Sequence, residues 1–246
     1  EPKAFVHLAG RPTLSRALES VFAMAEPTQV IITVPMSYGP IAKQLARSVP
    51  GGRDREPTII VGGSTRQESV AEALKFLEPS IDVVLVHDAA RPLTPSLVFD
   101  SVASEVRTSN AGVVPGLPVA DTIKRTDENG QIVETVDRSV LMAVQTPQGF
   151  PREQLVAAHK AAKEEHTDDS ALVADAGYPV SVIAGDPLAF KITTAWELRR
   201  AEQLFTESAA TSIRVGTGTD VHAYDETKQL WLAGLHYTGS KVAPPC

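Results

Sequence analysis

The segment Val86–Thr94, VHDAARPLT, places groups that could do chemistry at the end of an apolar run. The run DVVLV stops at His87 and Asp88, and Arg91 follows three residues after Asp88. Ligands of open α/β sheets bind beyond the carboxyl ends of the strands, so Asp88 and Arg91 are candidate site residues. The competing interpretation is a surface ion pair at the start of the next helix, and the segment alone is more typical of that.

Basic and hydroxyl side chains recur near other predicted strand ends and in loops. Proteins hold phosphates with such side chains and with backbone N–H groups, and the pair Gly62-Gly63 lets the backbone approach a ligand closely. Each of these residues taken alone is more typical of a solvated surface. Their shared position indicates an anion site suited to phosphoryl or nucleotidyl transfer. The set comprises Lys3, Ser64, Arg66, Arg91, Thr122, Lys124, Arg138, Thr146, Thr167 and Lys191.

Composition and missing motifs exclude several classes of protein. The sequence contains no GxxxxGK[ST] phosphate loop and no nucleophile elbow, and its one cysteine, Cys246, excludes a disulfide framework and thiol catalysis. A net charge of −7 argues against a general binder of nucleic acid or membrane surfaces, although it leaves room for a local basic pocket. Neither a membrane-spanning run nor a signal peptide is found, so we expect a cytoplasmic protein.

Helical and strand patterns alternate as far as Gly116. Apolar spacing predicts helices over residues 13–25, 40–49, 68–77 and 95–106, and apolar runs predict strands over 29–35, 57–64, 82–90 and 111–116. Such alternation is typical of βαβ units. The predicted fold class is therefore α/β, with a mostly parallel sheet covered by helices on both faces.

A β-hairpin is predicted to interrupt this series. Residues 118–136 form two extended runs joined by Asp127–Gly130, and the Asn-Gly pair is a strong hairpin signal. A lone two-stranded hairpin is marginally stable, so we expect the arm, about residues 118–140, to pack on something such as a second subunit. The elements predicted after it are a strand over 140–147, helices over 152–166 and 168–176, a strand over 180–185, and a helix from the Thr194–Glu197 capping box to about residue 207.

A domain boundary is predicted near Thr211, dividing the chain into residues 1–210 and 211–246. The second part begins with the strand-like run IRVGTGTDVHAY and is too short to build a core, so we interpret it as the opening of a further domain. Asp220 and His222 share one face of this strand, yet two ligands do not complete a zinc site.

The motifs GGSTRQESV, VHDAARP, ADTIKR, ETVDRS, AVQTPQGF, HTDDSA and AFKITTAWEL, taken in order, resemble those of 2-C-methyl-D-erythritol 4-phosphate cytidylyltransferases, enzymes of the non-mevalonate isoprenoid pathway. The resemblance covers about residues 1–207, and HDAARP together with TPQGF is specific. It implies a Rossmann-like nucleotidyltransferase fold, a homodimer formed through the projecting hairpin, CTP as a substrate and Mg²⁺ as the cofactor.

Position by position, the resemblance implies catalytic roles for Lys3, Asp88, Arg91 and Lys191. Lys3 would stabilise charge on the transferring α-phosphate, Asp88 would lie near the cytidine ribose and the metal, and Arg91 near the other substrate. The residues matched to CTP binding are Gly63, Ser64, Arg66 and Ser69. Those matched to binding of methylerythritol phosphate are Thr122, Arg138, Thr146, Thr167 and Lys191, with Arg138 reaching into the partner subunit's site.

The tail has a resemblance of its own. IRVGTGTDVHAY followed by LWLAG resembles the start of 2,4-cyclodiphosphate synthases of the same pathway, which implies a bifunctional enzyme. Asp220 and His222 match two of the metal ligands of that family, whose ion would be a divalent metal such as Zn²⁺. The third ligand, a later histidine, is missing from the sequence, and we expect the second domain not to work from this chain alone.

The front of the sequence also departs from the family. A glycine-rich loop, roughly PAAGxGxRxG, would precede Lys3, and without its N–H groups we expect triphosphate binding to be impaired. Two other functions stay open: a ribitol 5-phosphate cytidylyltransferase and a catalytically silent scaffold. The tail favours the isoprenoid pathway over ribitol phosphate. Stabilisation by CTP would distinguish an enzyme from a scaffold.

Overall fold

Short apolar runs form the strands of the computed structural model, which describes residues 2–52, 56–208, 230–232 and 235–237. The chain divides into two compact units, Glu1–Ser208 and Ala209–Cys246. The strands described in the first unit are β1 (His7–Leu8), β2 (Arg11–Pro12), β3 (Ile31–Val34), β4 (Thr58–Val61), β5 (Val83–Val86), β6 (Gly112–Pro118), β7 (Ile123–Thr126), β8 (Ile132–Val136), β9 (Met142–Val144), β10 (Gln148–Pro151) and β11 (Val180–Ala184).

The helices follow the predicted segments closely. The first buries Leu14, Leu18 and Phe22 on one face, as their spacing predicts. The predicted helix over 152–166 is wrong in its last five residues, because Ala162 leaves the helical region and residues 163–166 offer no apolar side chain to pack. The helices are α1 (Thr13–Phe22), α2 (Gly39–Ser48), α3 (Arg66–Leu74), α4 (Ser96–Ser109), α5 (Arg152–Ala161), α6 (Asp169–Asp175) and α7 (Ala195–Ser208).

The main sheet is mixed, so the expectation of a mostly parallel sheet is wrong. Its strand order is β11-β6-β10-β5, and β9 pairs with β6. β11 is parallel to β6, whereas β10 is antiparallel to both of its neighbours and β9 is antiparallel to β6. The physical reason is that the chain returns from β6 through the hairpin without a crossover helix, so β9 and β10 run back along β6. Pro147 has no backbone N–H group to donate to a neighbouring strand. The pairing of β9 ends before it, and that of β10 begins at Gln148.

A cavity separates the main sheet from a second, smaller one. β3 and β4 form a parallel pair of their own. A cavity of about 600 Å³ is lined by β3, β5, α1 and α3, and most of its wall is apolar. Arg66, Ser69, His87 and Asp88 contribute polar groups to the same wall. This cavity therefore reaches the end of β5.

The predicted hairpin is confirmed. β7 and β8 pair antiparallel, from Ile123 opposite Val136. The turn is held by Asp127, whose Oδ1 accepts the backbone N–H groups of Asn129 and Gln131, and Gly130 has φ 78°, a conformation that favours glycine.

Two buried clusters fix the elements around the end of β5. Phe5, Leu14, Leu18 and Ile32 join α1 to β3. Phe150, Leu155, Leu172 and Val173 join α5 and α6 to β10, and each is at most 2% exposed. The second cluster makes α5 and α6 a rigid platform beside the sheet.

Little of the second unit is described. Two strands, β12 (Leu230–Leu232) and β13 (Leu235–Tyr237), pair antiparallel. The predicted strand that contains Asp220 and His222 lies outside the described residues, so those metal ligands stay a prediction. Within the described residues, no helix has the length and apolar character needed to cross a bilayer.

Candidate active site

The end of β5 brings three of the predicted site residues together. Asp88 follows the strand, and its carboxylate is 18% exposed. Lys191 Nζ lies 2.8 Å from Asp88 Oδ2, and Arg66 Nε lies 3.5 Å from Asp88 Oδ1. Arg66 opens α3, and Lys191 follows a 3₁₀ turn that precedes α7. Segments far apart in the chain therefore meet at this carboxylate.

The electrostatics keep Asp88 ionised. Burial by itself would raise the pKa of its carboxyl group. The hydrogen bond and charge of Lys191 and the charges of Arg66 and Arg91 outweigh burial, so the pKa of Asp88 lies below its usual 3.8. The site thus offers one permanent negative charge among three cations.

Arg91 braces the site. Its guanidinium donates to the carbonyl oxygen of Ala189 at 2.6 Å, and its backbone N–H donates to the carbonyl of Asp88 at 2.9 Å. The Ile192 N–H donates to the carbonyl of Ala90 at 2.7 Å. These bonds tie the turn after β5 to the segment that carries Lys191.

Thr146 and His87 hold Asp88 from behind. The backbone N–H of Asp88 donates to Thr146 Oγ1 at 3.1 Å, and Oγ1 lies 2.9 Å from His87 Nδ1. His87 Nε2 lies 3.3 Å from the carbonyl oxygen of Arg91, which can only accept. The network therefore assigns the histidine proton to Nε2 and the Thr146 proton to the bond with Nδ1. Burial lowers the pKa of His87 to about 4.

The residues matched to CTP lie along the junction of β4 and α3. Ser64 donates to Glu68 from both its backbone N–H and its hydroxyl, and the Ser69 hydroxyl donates to the carbonyl of Thr65 at 2.8 Å. A Cβ on Gly63 would lie 2.3 Å from the Cβ of Glu68, so only glycine fits this close approach. Glu68 is a residue that sequence reasoning missed.

Five predicted site residues are not brought to this cluster within the described part of the chain, among them Lys124, whose ammonium group donates to the Thr135 hydroxyl on the hairpin. Lys3, Thr122 and Thr167 are exposed. Arg138 is exposed as well, and its guanidinium donates to the carbonyl of Ala120. Their assigned roles stay predictions.

Sequence reasoning also missed a second layer behind Arg66. Asp169 Oδ2 lies 2.7 Å from Arg66 Nη1, and its Oδ1 lies 3.2 Å from His159 Nε2. Asp168 caps α6 by accepting the Ala171 N–H at 2.9 Å, and it also accepts from Gln148 at 2.8 Å. The only signal in the sequence for this ion pair is Asp168-Asp169 at the start of α6. Capping of the helix explains the carboxylate of Asp168 and leaves that of Asp169 unexplained.

The chain is similar in sequence to known proteins. The family model for 2-C-methyl-D-erythritol 4-phosphate cytidylyltransferase matches residues 1–207. The bifunctional enzyme IspD/IspF of Clavibacter michiganensis is 51% identical over 243 residues, which cover 97% of this chain and 59% of that protein. The 2-C-methyl-D-erythritol 4-phosphate cytidylyltransferase of Nocardia farcinica is 43% identical over 209 residues, covering 85% of this chain and 88% of that protein.

Solved structures have the same fold. The crystal structure of the 2-C-methyl-D-erythritol 4-phosphate cytidylyltransferase of Thermus thermophilus superposes with a TM-score of 0.70 at 35% identity, covering 83% of this chain and 94% of that one. The bifunctional IspDF of Campylobacter jejuni superposes with a TM-score of 0.65 at 27% identity, covering 80% of this chain and 48% of that one. The chain thus spans about half the length of the bifunctional proteins that it matches.

Proposed function

The chain belongs to the family of 2-C-methyl-D-erythritol 4-phosphate cytidylyltransferases of the non-mevalonate isoprenoid pathway, and we propose that it transfers the cytidylyl group of CTP to the phosphate of methylerythritol phosphate with release of pyrophosphate. One observation carries the proposal at the level of chemistry. Asp88 lies at the carboxyl end of a strand, at a cavity, in contact with Lys191 and Arg66. Cations gathered around one carboxylate suit the binding of two phosphorylated substrates.

The reaction needs positioning and neutralisation of charge. A phosphate oxygen of methylerythritol phosphate attacks the α-phosphorus of CTP in line, and the bond to the bridging oxygen of pyrophosphate breaks. No covalent enzyme intermediate is required, so charge placement dominates. Lys191 and Arg91 attract the sugar phosphate, Arg66 and Ser69 lie against the nucleotide, and Lys3 neutralises charge on the α-phosphate. Gly63 and Ser64 border the cytosine, and Thr122, Thr146 and Thr167 belong to the sugar pocket.

Magnesium is the cofactor that this site fits. Mg²⁺ takes oxygen ligands and is often held by one or two carboxylates together with substrate phosphates. Asp88 supplies one such carboxylate, and no group of three or more potential metal ligands occurs in the described residues. Bound there with the triphosphate, Mg²⁺ would neutralise phosphate charge.

The assembly is proposed to be a homodimer formed through the arm of β7 and β8. Ile132 and Val133 on this arm are 65% and 63% exposed, and a partner would cover them. Arg138, at the base of the arm, then acts in the partner subunit's site. A cytoplasmic location, with neither nucleic acid nor membrane as a partner, belongs to the same proposal.

A second activity is proposed for the protein that contains this chain. The relative from Clavibacter michiganensis is named a bifunctional enzyme, and its match extends beyond residue 207. Residues 211–246 would then open a cyclodiphosphate synthase domain, with Asp220 and His222 as ligands of a divalent metal such as Zn²⁺. An Asp220→Ala variant should abolish cyclodiphosphate formation and leave cytidylyl transfer unchanged.

The experiment that tests the main function is a measurement of pyrophosphate release from CTP and Mg²⁺ by the intact protein. Methylerythritol 4-phosphate and ribitol 5-phosphate are compared at equal concentration. Release with methylerythritol phosphate alone supports the proposal, and release with ribitol phosphate alone would overturn the choice of substrate. No release with either, together with no stabilisation by CTP, would indicate a scaffold.

A further inference from the structure

The residues around Arg66 form a chain of alternating cations and carboxylates that ends on a buried histidine. Lys191 contacts Asp88, Asp88 contacts Arg66, Arg66 contacts Asp169, and Asp169 contacts His159. The first three members are partly exposed and the last two are buried. The side chains of Lys191, Asp88 and Arg66 are 43%, 18% and 34% exposed, whereas those of Asp169 and His159 are 1% and 4% exposed. A ligand can therefore reach the first three members and not the last two.

Asp169 is paired with Arg66. A buried carboxylate is costly unless it is paired and hydrogen-bonded. Its Oδ1 accepts from His159 Nε2. Its Oδ2 has no hydrogen bond of good geometry among the described residues, so the guanidinium charge 2.7 Å away is the partner of that oxygen.

The platform under Asp169 is rigid. Asp169 is the first residue of α6 and His159 lies on α5, and these helices share the buried cluster of Phe150, Leu155 and Val173. Arg66 is the first residue of α3, whose Leu74 packs against the edge of the same cluster. The ion pair therefore joins a fixed carboxylate to a long side chain that would otherwise occupy several rotamers.

We propose that Asp169, supported by His159, is a positioning residue that holds the guanidinium of Arg66 between two carboxylates in the cytidylyl-transfer site. This inference rests on the proposed function. Without Asp169, the guanidinium of Arg66 would form a bidentate pair with Asp88. Neither the guanidinium nor the carboxylate would then be available to interact with the nucleotide. Asp169 draws one nitrogen away, so that Arg66 and Asp88 are set in place before CTP arrives.

The test measures KM for each substrate in Asp169→Asn. We expect the KM for CTP to rise about tenfold and the KM for methylerythritol phosphate to stay within about twofold. Arg66→Gln should raise the KM for CTP as well. The double variant Arg66→Gln/Asp169→Asn should then be no worse than Arg66→Gln, because Asp169 acts through Arg66. Arg66→Gln leaves the buried carboxylate of Asp169 without its cationic partner and the double variant removes that carboxylate, so the double variant reports even where Arg66→Gln does not fold.

His159 offers a conservative rescue. His159→Gln keeps a donor for Asp169 and should retain a KM for CTP close to that of the wild type, whereas His159→Leu should raise it. The matched control is Gln67→Ala, which removes other bonds between α3 and residues 164–166 and leaves the Arg66 ion pair in place. This control should lower thermal stability slightly without changing either KM.

Several outcomes would overturn the inference. One is an Asp169→Asn variant that folds and keeps the wild-type KM for CTP. Another is a double variant whose loss equals the sum of the two single losses, which would show a general structural role. A wild-type protein without transfer activity would overturn the proposed function instead. The positioning role is then decided by calorimetric CTP affinities of the same variants, and affinities equal to that of the wild type would overturn it.

Discussion

At the scale of single residues, the ammonium group of Lys191 has two anionic partners, one in the protein and one in the proposed substrate. Its ammonium group lies 2.8 Å from Asp88, and the same group is proposed to bind the phosphate of methylerythritol phosphate. The two interactions compete for one charge, so substrate binding must partly release Asp88.

Lys191→Ala should therefore affect the sugar phosphate more than the nucleotide. We expect the KM for methylerythritol phosphate to rise about tenfold, measured by pyrophosphate release at saturating CTP. Lys163→Ala, at an exposed position after α5, is the control and should behave like the wild type. A defect confined to CTP would show that Lys191 serves the other substrate.

His87 makes stability depend on pH. Its pKa falls to about 4 in the folded protein because the ring is buried, against about 6.5 when unfolded. Between these values the unfolded chain binds the proton and the folded chain does not, so stability falls as the pH drops. At pH 5 the loss from this residue is about 2 kcal/mol relative to pH 7.

Urea unfolding at pH 7 and pH 5 checks this expectation. His87→Asn should be less stable at pH 7, because it loses the bonds to Thr146 and Arg91, and its stability should change less with pH than that of the wild type. An equal pH dependence in both proteins would assign the effect to other groups.

At the scale of elements, local patterns predicted what local interactions decide. The apolar face of α1, the turn at Asp127–Gly130 and the cap of α7 by Thr194 and Glu197 are each fixed within a few residues, and each is confirmed. The direction of β10 is set by pairing with β5 and β6, which lie far away in sequence. Asp88 could be predicted because it belongs to the contiguous motif HDAARP. The ion pair of Asp169 with Arg66 could not be predicted, because the two residues lie far apart in the sequence.

Gly149 tests the packing of β10 against α4. A Cβ at this position would lie 2.5 Å from Val102 Cγ1 and 2.9 Å from Val106 Cγ2, so α4 would have to move. Gly149→Ala should lower the free energy of unfolding by about 1–3 kcal/mol. Gly39→Ala, where a Cβ on α2 meets nothing within 4 Å, should leave the free energy of unfolding unchanged or raise it by up to about 1 kcal/mol. Chemical denaturation compares the two, and equal losses would contradict this packing.

At the scale of the whole molecule, the proposed dimer divides each active site between two chains. Arg138→Ala and Asp88→Ala should each be nearly inactive alone. When the two variants are mixed and allowed to exchange subunits, half of the dimers contain one intact site of two, so activity should recover to about a quarter of the wild-type value. Sedimentation velocity of the mixture tests whether dimers form, and a dimeric mixture that stays inactive would show that Arg138 acts within its own chain.

In the proposed dimer, the apolar residues exposed on the arm make catalytic activity depend on mass action. Ile132 and Val133 would be covered only when two chains meet, so dilution would shift the population toward single chains whose sites lack the partner's arm. Specific activity should then fall as the enzyme is diluted in an assay. The rate that the protein shows in a cell would follow its own abundance more steeply than in direct proportion.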